Sequence, residues 1–130
     1  MTDGPTRVVD ASALLAFLLG ESGADVVEKT IEESAVSTVN WSEVCQRALA
    51  RGVDTTDLRA DVEALGIAVE PFTAEDAERA ADLWESTRAA GLSLGDRACL
   101  ALALRLGGTA VTADRAWVAL DVGVDVTAIR

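Results

Sequence analysis

The chain has 130 residues, half of them hydrophobic and a quarter charged, which fits one globular domain with its own core and excludes intrinsic disorder. It has no histidine, and Lys29 is its single lysine, so histidine-based triads, histidine-ligated zinc and lysine chemistry at any other position are excluded; catalysis is left to carboxylates, hydroxyls, arginines or thiols. With 11 basic against 22 acidic residues the net charge is −11, a field that repels polyanions at long range but allows a nucleic-acid substrate held locally through bound cations.

Residues 7–10 read as a strand and 11–19 as a helix, followed by a helix over 22–33 and a strand over 35–38. Residues 40–50 are helical, because Trp41, Val44, Cys45, Ala48 and Leu49 recur at i, i+3, i+4, i+7 and i+8. A helix over 56–65 is closed by Gly66, and a strand over 67–69 is ended by Pro71. Thr73 caps a long helix running to residue 90, with Ala77, Ala81, Trp84 and Arg88 on one face. Trp41 and Trp84 read as core side chains; the placement of Trp117 stays open. Residues 94–106 are apolar nearly all round, the mark of a buried central helix, with Gly107-Gly108 as its stop. A strand over 109–112, a short helix over 114–120 and a strand over 124–129 complete the chain. Strands separated by helices predict a mainly parallel sheet of four to five strands covered on both faces, in one domain spanning residues 1–130, with ligands bound beyond the carboxyl ends of the strands.

Cys45 and Cys99 fit no metal or redox spacing and are expected as buried reduced thiols. The opening MTDGPTR lacks a basic flank leading into a clean apolar run, and residues 8–19 are interrupted by Asp10 and too short to span a bilayer. A cytoplasmic protein without membrane contact is expected.

Four acids fall at strand ends or helix starts: Asp10 after Val8-Val9, Glu43 in the helix after the second strand, Asp96 at the mouth of the buried helix, and Asp114 just past the strand over 109–112. Gathered on one rim, they cannot all ionise without a compensating cation. Oxygen ligands without histidine or cysteine suit Mg²⁺, with Mn²⁺ as a substitute. Such a cluster can hold one or two ions, activate a water and steady the leaving oxygen of a phosphodiester. Each acid also has a plainer reading. Glu43 lies three residues after Asn40 and Asp96 three after Ser93, so either reads equally as part of a capping box. Asp114 reads also as a first-turn acid favoured by the helix dipole. Asp10 is hardest to explain structurally, since it ends an apolar central strand where an unpaired carboxylate is costly.

The segments Val8-Val9-Asp10-Ala11-Ser12-Ala13, Asn40-Trp41-Ser42-Glu43-Val44, Leu92-Ser93-Leu94-Gly95-Asp96-Arg97-Ala98-Cys99 and Val111-Thr112-Ala113-Asp114-Arg115-Ala116-Trp117, in this order, span nearly the whole chain. In them the chain resembles PIN-domain proteins, specifically VapC-like toxin ribonucleases of type II toxin–antitoxin systems. The resemblance implies a three-layer α/β/α fold and a Mg²⁺-dependent endoribonuclease. It implies Asp10, Glu43, Asp96 and Asp114 as the catalytic and metal-binding quartet, with Asp10 and Asp96 as direct ligands and Glu43 and Asp114 acting through water or completing the site. Ser12 and Thr112 are expected to hydrogen-bond the ligating carboxylates. Arg97 and Arg115, each beside a site acid, read equally as phosphate contacts or as salt bridges orienting those acids. Implied partners are an RNA substrate, a cognate antitoxin with a basic C-terminal segment, and a second copy in a homodimer. The competing reading is a PIN-fold module that binds RNA or protein without cutting. A haloacid-dehalogenase-type phosphatase is disfavoured because Ser12 stands where its second aspartate belongs, and a dinucleotide-binding module because no G-x-G-x-x-G occurs.

Overall fold

Five strands, β1 (Arg7–Val9), β2 (Ser34–Ser37), β3 (Ala68–Glu70), β4 (Thr109–Thr112) and β5 (Val126–Ala128), form one sheet in the order β3-β2-β1-β4-β5 in the computed structural model, which describes residues 6–130. All four neighbouring pairs are parallel, with Val8 opposite both Ala35 and Ala110 and Val9 opposite Val111. The reading of the first residues as lacking a basic flank falls on 1–5 and lies outside the described residues.

Seven helices cover the sheet, giving three α/β/α layers. Strand side chains alternate between the layers as the pleat requires. Val9, Val36 and Val111 face α1 (Ala11–Leu19), α2 (Ala24–Glu28), α3 (Thr38–Ala50) and α4 (Leu58–Ala64), packing with Leu14, Val27, Val44 and Val62. Val8, Ala35 and Ala110 face α7 (Leu94–Leu106) and the segment before it, packing with Leu83, Cys99, Leu100, Leu102 and Trp117. The central strands, buried on both faces, need apolar residues at successive positions, as at Val8-Val9, Ala35-Val36 and Ala110-Val111.

Helix boundaries depart from the periodicity at two places. The helix expected over 22–33 contracts to α2 and a 3-10 turn over Ile31–Glu33. Gly23, at φ 97°, lets the chain turn against the C-terminal segment; a Cβ there would come within 2.7 Å of Ile129. The long helix expected over 73–90 divides into α5 (Ala74–Asp82), α6 (Trp84–Thr87) and a 3-10 turn over Arg88–Ala90. At the break the Leu83 carbonyl accepts from the hydroxyls of Ser86 and Thr87, a local side-chain bond that competes with helix continuation.

The buried face here is also one residue out of phase with the expected one. Asp76, Ala80, Leu83 and Thr87 point inward, whereas Ala77, Ala81 and Trp84 are exposed. Two of the four buried residues are polar and disguised the stripe. Asp76 is neutralised by Arg105, which donates from Nε and Nη2 at 2.9 and 3.1 Å, and the Thr87 hydroxyl donates to Leu83 at 2.7 Å. Trp84 is therefore a surface side chain, stacked with Arg88 at 4.9 Å, and not core as expected. Trp117 is fully buried. Both cysteines are free thiols; Cys99 is buried, but Cys45 is only half-buried, short of the expectation. No helix among the described residues is long and apolar enough to cross a membrane.

Candidate active site

The direction of chain progression across the sheet reverses at β1, which sits between β2 and β4, so the crevice at the carboxyl ends of β1 and β4 is the expected ligand position. A cleft of about 200 Å³ opens there, lined by Asp10, Ala11, Ser12, Glu43, Arg47, Asp96 and Asp114. All four acids singled out in the sequence thus meet at one opening. A larger cleft, about 450 Å³ beside Gly107, Gly108 and the turn before β5, lies at the opposite end of the sheet and holds none of them.

Asp10 follows β1 directly and is almost completely buried. One carboxylate oxygen accepts from the Ser12 hydroxyl at 2.7 Å and the Ala13 amide at 2.8 Å; the other accepts from the Thr112 hydroxyl at 2.6 Å. The Ala13 bond caps α1, so Asp10 terminates a strand and starts a helix with one side chain. Burial raises its pKa from 3.8 to about 6, outweighing the three hydrogen bonds that favour the ionised form; the nearby Asp96 carboxylate adds to the rise. The two hydroxyls act in two directions. Ser12 accepts from the Ala113 amide at 3.0 Å and Thr112 from the Asp114 amide at 3.0 Å, binding the segment after β4 to the end of β1.

Asp96 is the third residue of α7. The capping box is present, with the Ser93 amide donating to Asp96 at 2.9 Å and the Asp96 amide to the Ser93 hydroxyl at 3.1 Å. The cap and the cleft are one arrangement, since the same carboxylate also lines the opening. Glu43 differs. Ser37, not Asn40, caps α3, and helix formation begins two residues earlier than the pattern indicated. Asn40 is buried and donates to the Glu43 carboxylate and to the Gly95 carbonyl, both at 2.9 Å, linking α3 to the start of α7. Asp114 accepts from the Ala116 amide at 3.0 Å and starts a 3-10 turn over Arg115–Ala119, not the α-helix expected there. The charges of Asp10, Asp96 and Glu43 all reach the buried Cys99 thiol beneath the cleft; with burial, the largest cause, they raise its pKa well above 9.0. Cys99 is therefore an inert neutral thiol.

The donor set, hard carboxylate oxygens with one strongly buried member, fits a hard divalent cation. Among the described residues no three of these groups are drawn together tightly enough to grip an ion by themselves.

Neither arginine chosen from sequence enters the cleft. Arg97 turns to α5 and donates to the Ala80 carbonyl at 2.7 Å, which replaces both expected roles with a helix–helix tie. Arg115 is exposed and is not among the lining residues. Arg47 lines the cleft instead. It sits four residues after Glu43 on α3, a spacing that puts two side chains on one helical face and was available in the sequence. Gly95 is the other residue missed. A Cβ there would lie 2.6 Å from a Glu43 carboxylate oxygen, so only glycine leaves that carboxylate in place. Gly95→Ala is expected to lower the activity of the site between about 10- and 100-fold by displacing Glu43. Stability should hold or rise by up to about 1 kcal/mol, because alanine is the better helix former. Cleavage assays beside thermal unfolding read the two effects separately.

Residues 7–123 match the family model of the PIN domain. Ribonuclease VapC42 of Mycobacterium tuberculosis is 35% identical, the alignment covering 74% of this chain and 81% of that protein. The chain belongs to the VapC-type PIN-domain family. Among solved structures, this PIN domain is similar to a toxin-antitoxin complex from Klebsiella pneumoniae, with a TM-score of 0.75 at 19% identity over 96% of this chain and 98% of that one. FitAcB from Neisseria gonorrhoeae gives a TM-score of 0.69 at 16% identity over 95% and 98%. These likenesses support the PIN architecture of a parallel sheet between two helical layers.

Proposed function

We propose that this PIN-domain protein is a Mg²⁺-dependent endoribonuclease and the toxin of a type II toxin–antitoxin pair. The observation that carries the reading is the meeting of Asp10, Glu43, Asp96 and Asp114 at one cleft beyond β1 and β4. The ribonuclease name of a relative at 35% identity supports it. A divalent cation bound there lowers the pKa of a water and neutralises charge on the scissile phosphate. Asp10 and Asp96 would hold the ion in this reading, and Glu43 and Asp114 would act through water or complete the site. Ser12 and Thr112 fix both oxygens of Asp10, so that its carboxylate presents one orientation. Asn40 does the same for Glu43. With no histidine in the chain, the proton leaving the attacking water goes to a carboxylate or to solvent hydroxide. The partner in this reading is an antitoxin whose basic C-terminal segment lies over the acidic cleft, and the chain pairs with a second copy.

The test is incubation of the purified, antitoxin-free protein with cellular RNA and Mg²⁺, followed by sequencing of the new RNA ends. Discrete new ends are expected. RNA left intact would overturn the nuclease reading, and binding without cutting would establish the module reading in its place.

A further inference from the structure

Beside the acidic cleft lies a second, smaller one of about 80 Å³. It is lined by Leu15 and Leu19 of α1, by one acid, Glu21, and by three of the chain's 11 basic residues, Arg47, Arg51 and Arg130. Ser12 and Arg47 line both clefts, so the two are adjacent and share a wall. In a chain of net charge −11 this local concentration of positive charge is out of character and needs a reason.

Internal pairing does not supply one. Arg47 has no ion pair among the described residues. Arg51 meets Glu21 only at 3.7 Å, with both side chains well exposed, an arrangement that contributes little to stability. Arg130 is held by the Ser22 carbonyl at 2.9 Å, a bond that fixes its position. Arg47 and Arg51 are one helical turn apart, about 6 Å along the axis, so they present successive charges leading away from the carboxylates.

We propose that this arginine cleft seats backbone phosphates of single-stranded RNA on one side of the scissile bond. The proposal rests on the nuclease reading and deepens it. Carboxylates alone repel the strand; the arginines supply the anchoring that a global charge of −11 denies, and they fix which way the strand leaves the site. Guanidinium groups suit this task because their planar donors match phosphate oxygens.

The experiment measures binding of a fluorescein-labelled oligouridylate to the full chain carrying Asp96→Asn, by anisotropy across a KCl series with Mg²⁺ present. Each lost phosphate contact on a single strand flattens the slope of log K against log[salt] by about 0.7. Arg51→Gln with Arg130→Gln is expected to flatten it by about 1.4, and adding Arg47→Gln by about 2. The control pair Arg59→Gln with Arg79→Gln removes equal charge from exposed positions elsewhere and is expected to leave the slope where it was. An equal effect from the control pair, no effect from the cleft variants, or no oligouridylate binding at all overturns the proposal. So does equal competition by a poly-glutamate peptide, which would make the cleft a protein or general anion site. If the cleft variants leave binding unchanged while the wild-type chain still cuts RNA, the nuclease reading stands and only this inference falls. If the wild-type chain cuts nothing, both fall.

Discussion

Removing the charge of Asp96 is expected to lower RNA cleavage by about 10³-fold. A carboxylate that holds a catalytic cation supports several kcal/mol of transition-state stabilisation, and each 1.36 kcal/mol is tenfold in rate. Asp96→Asn is the informative variant because asparagine keeps an oxygen to accept from the Ser93 amide, so the start of α7 stays capped while the charge is lost. EDTA added to the native chain is expected to act as strongly, with activity returning when Mg²⁺ or Mn²⁺ is supplied in excess. Single-turnover cleavage of one RNA, with circular dichroism as the folding control, reads both. Activity surviving Asp96→Asn in a folded chain would remove Asp96 from the site; activity surviving EDTA would remove the cation.

The second large effect concerns stability, which the substitution Asp10→Asn is expected to raise. Asp10 is buried and its pKa stands at about 6, against 3.8 for an ordinary aspartate. Between those values the folded chain holds a proton that the unfolded chain has already released, so folding stability falls as pH rises through about 4 to 6. Above about pH 6 the ionised group costs about 3 kcal/mol, at 1.36 kcal/mol for each tenfold change in proton affinity. Asparagine is neutral throughout. Asp10→Asn is therefore expected to match the wild type near pH 4 and to exceed its stability by up to about 3 kcal/mol near pH 7.5, both in EDTA. Other titrating groups cancel in the comparison. Mg²⁺ should narrow the gap, since a ligand at 100 times its Kd stabilises by about 2.7 kcal/mol. Urea unfolding at the two pH values checks this; a pH-independent difference would mean that burial does not penalise the Asp10 charge.

The fold was legible where one physical demand governed the residues. β1, β2 and β4, in the middle of the sheet, carry the buried apolar pairs Val8-Val9, Ala35-Val36 and Ala110-Val111 and fell within about two residues of their expected positions. Legibility ended where a polar residue was buried with a private partner. The stripe Asp76, Ala80, Leu83, Thr87 has ideal helical spacing, but Arg105, remote in sequence, is what makes Asp76 tolerable inside. The candidate site divides in the same way. Its acids stood out at strand ends, as Asp10 and Asp114, or near helix starts, as Glu43 and Asp96. Its arginine was sought next to an acid in sequence, as Arg97, although adjacent residues on a helix point in different directions and a spacing of four leads to Arg47. The spacing of Asn40 and Glu43 leaves a capping box and a site acid as equal readings; only the packing of α3 on α7 reveals that Asn40 joins Glu43 to Gly95.

The pairing of β1 with β4 has a consequence for a chain still being made. Asp10 emerges early, but the Thr112 hydroxyl that holds its second oxygen lies 102 positions later, and its own amide bonds to the Val111 carbonyl. At roughly 5–20 residues per second, about 5–20 s of translation separate the two. Throughout that interval a nascent polypeptide lacks a finished centre, and so does any product truncated before β4. In the proposed reading, cleavage is thereby withheld until both halves of the sheet exist.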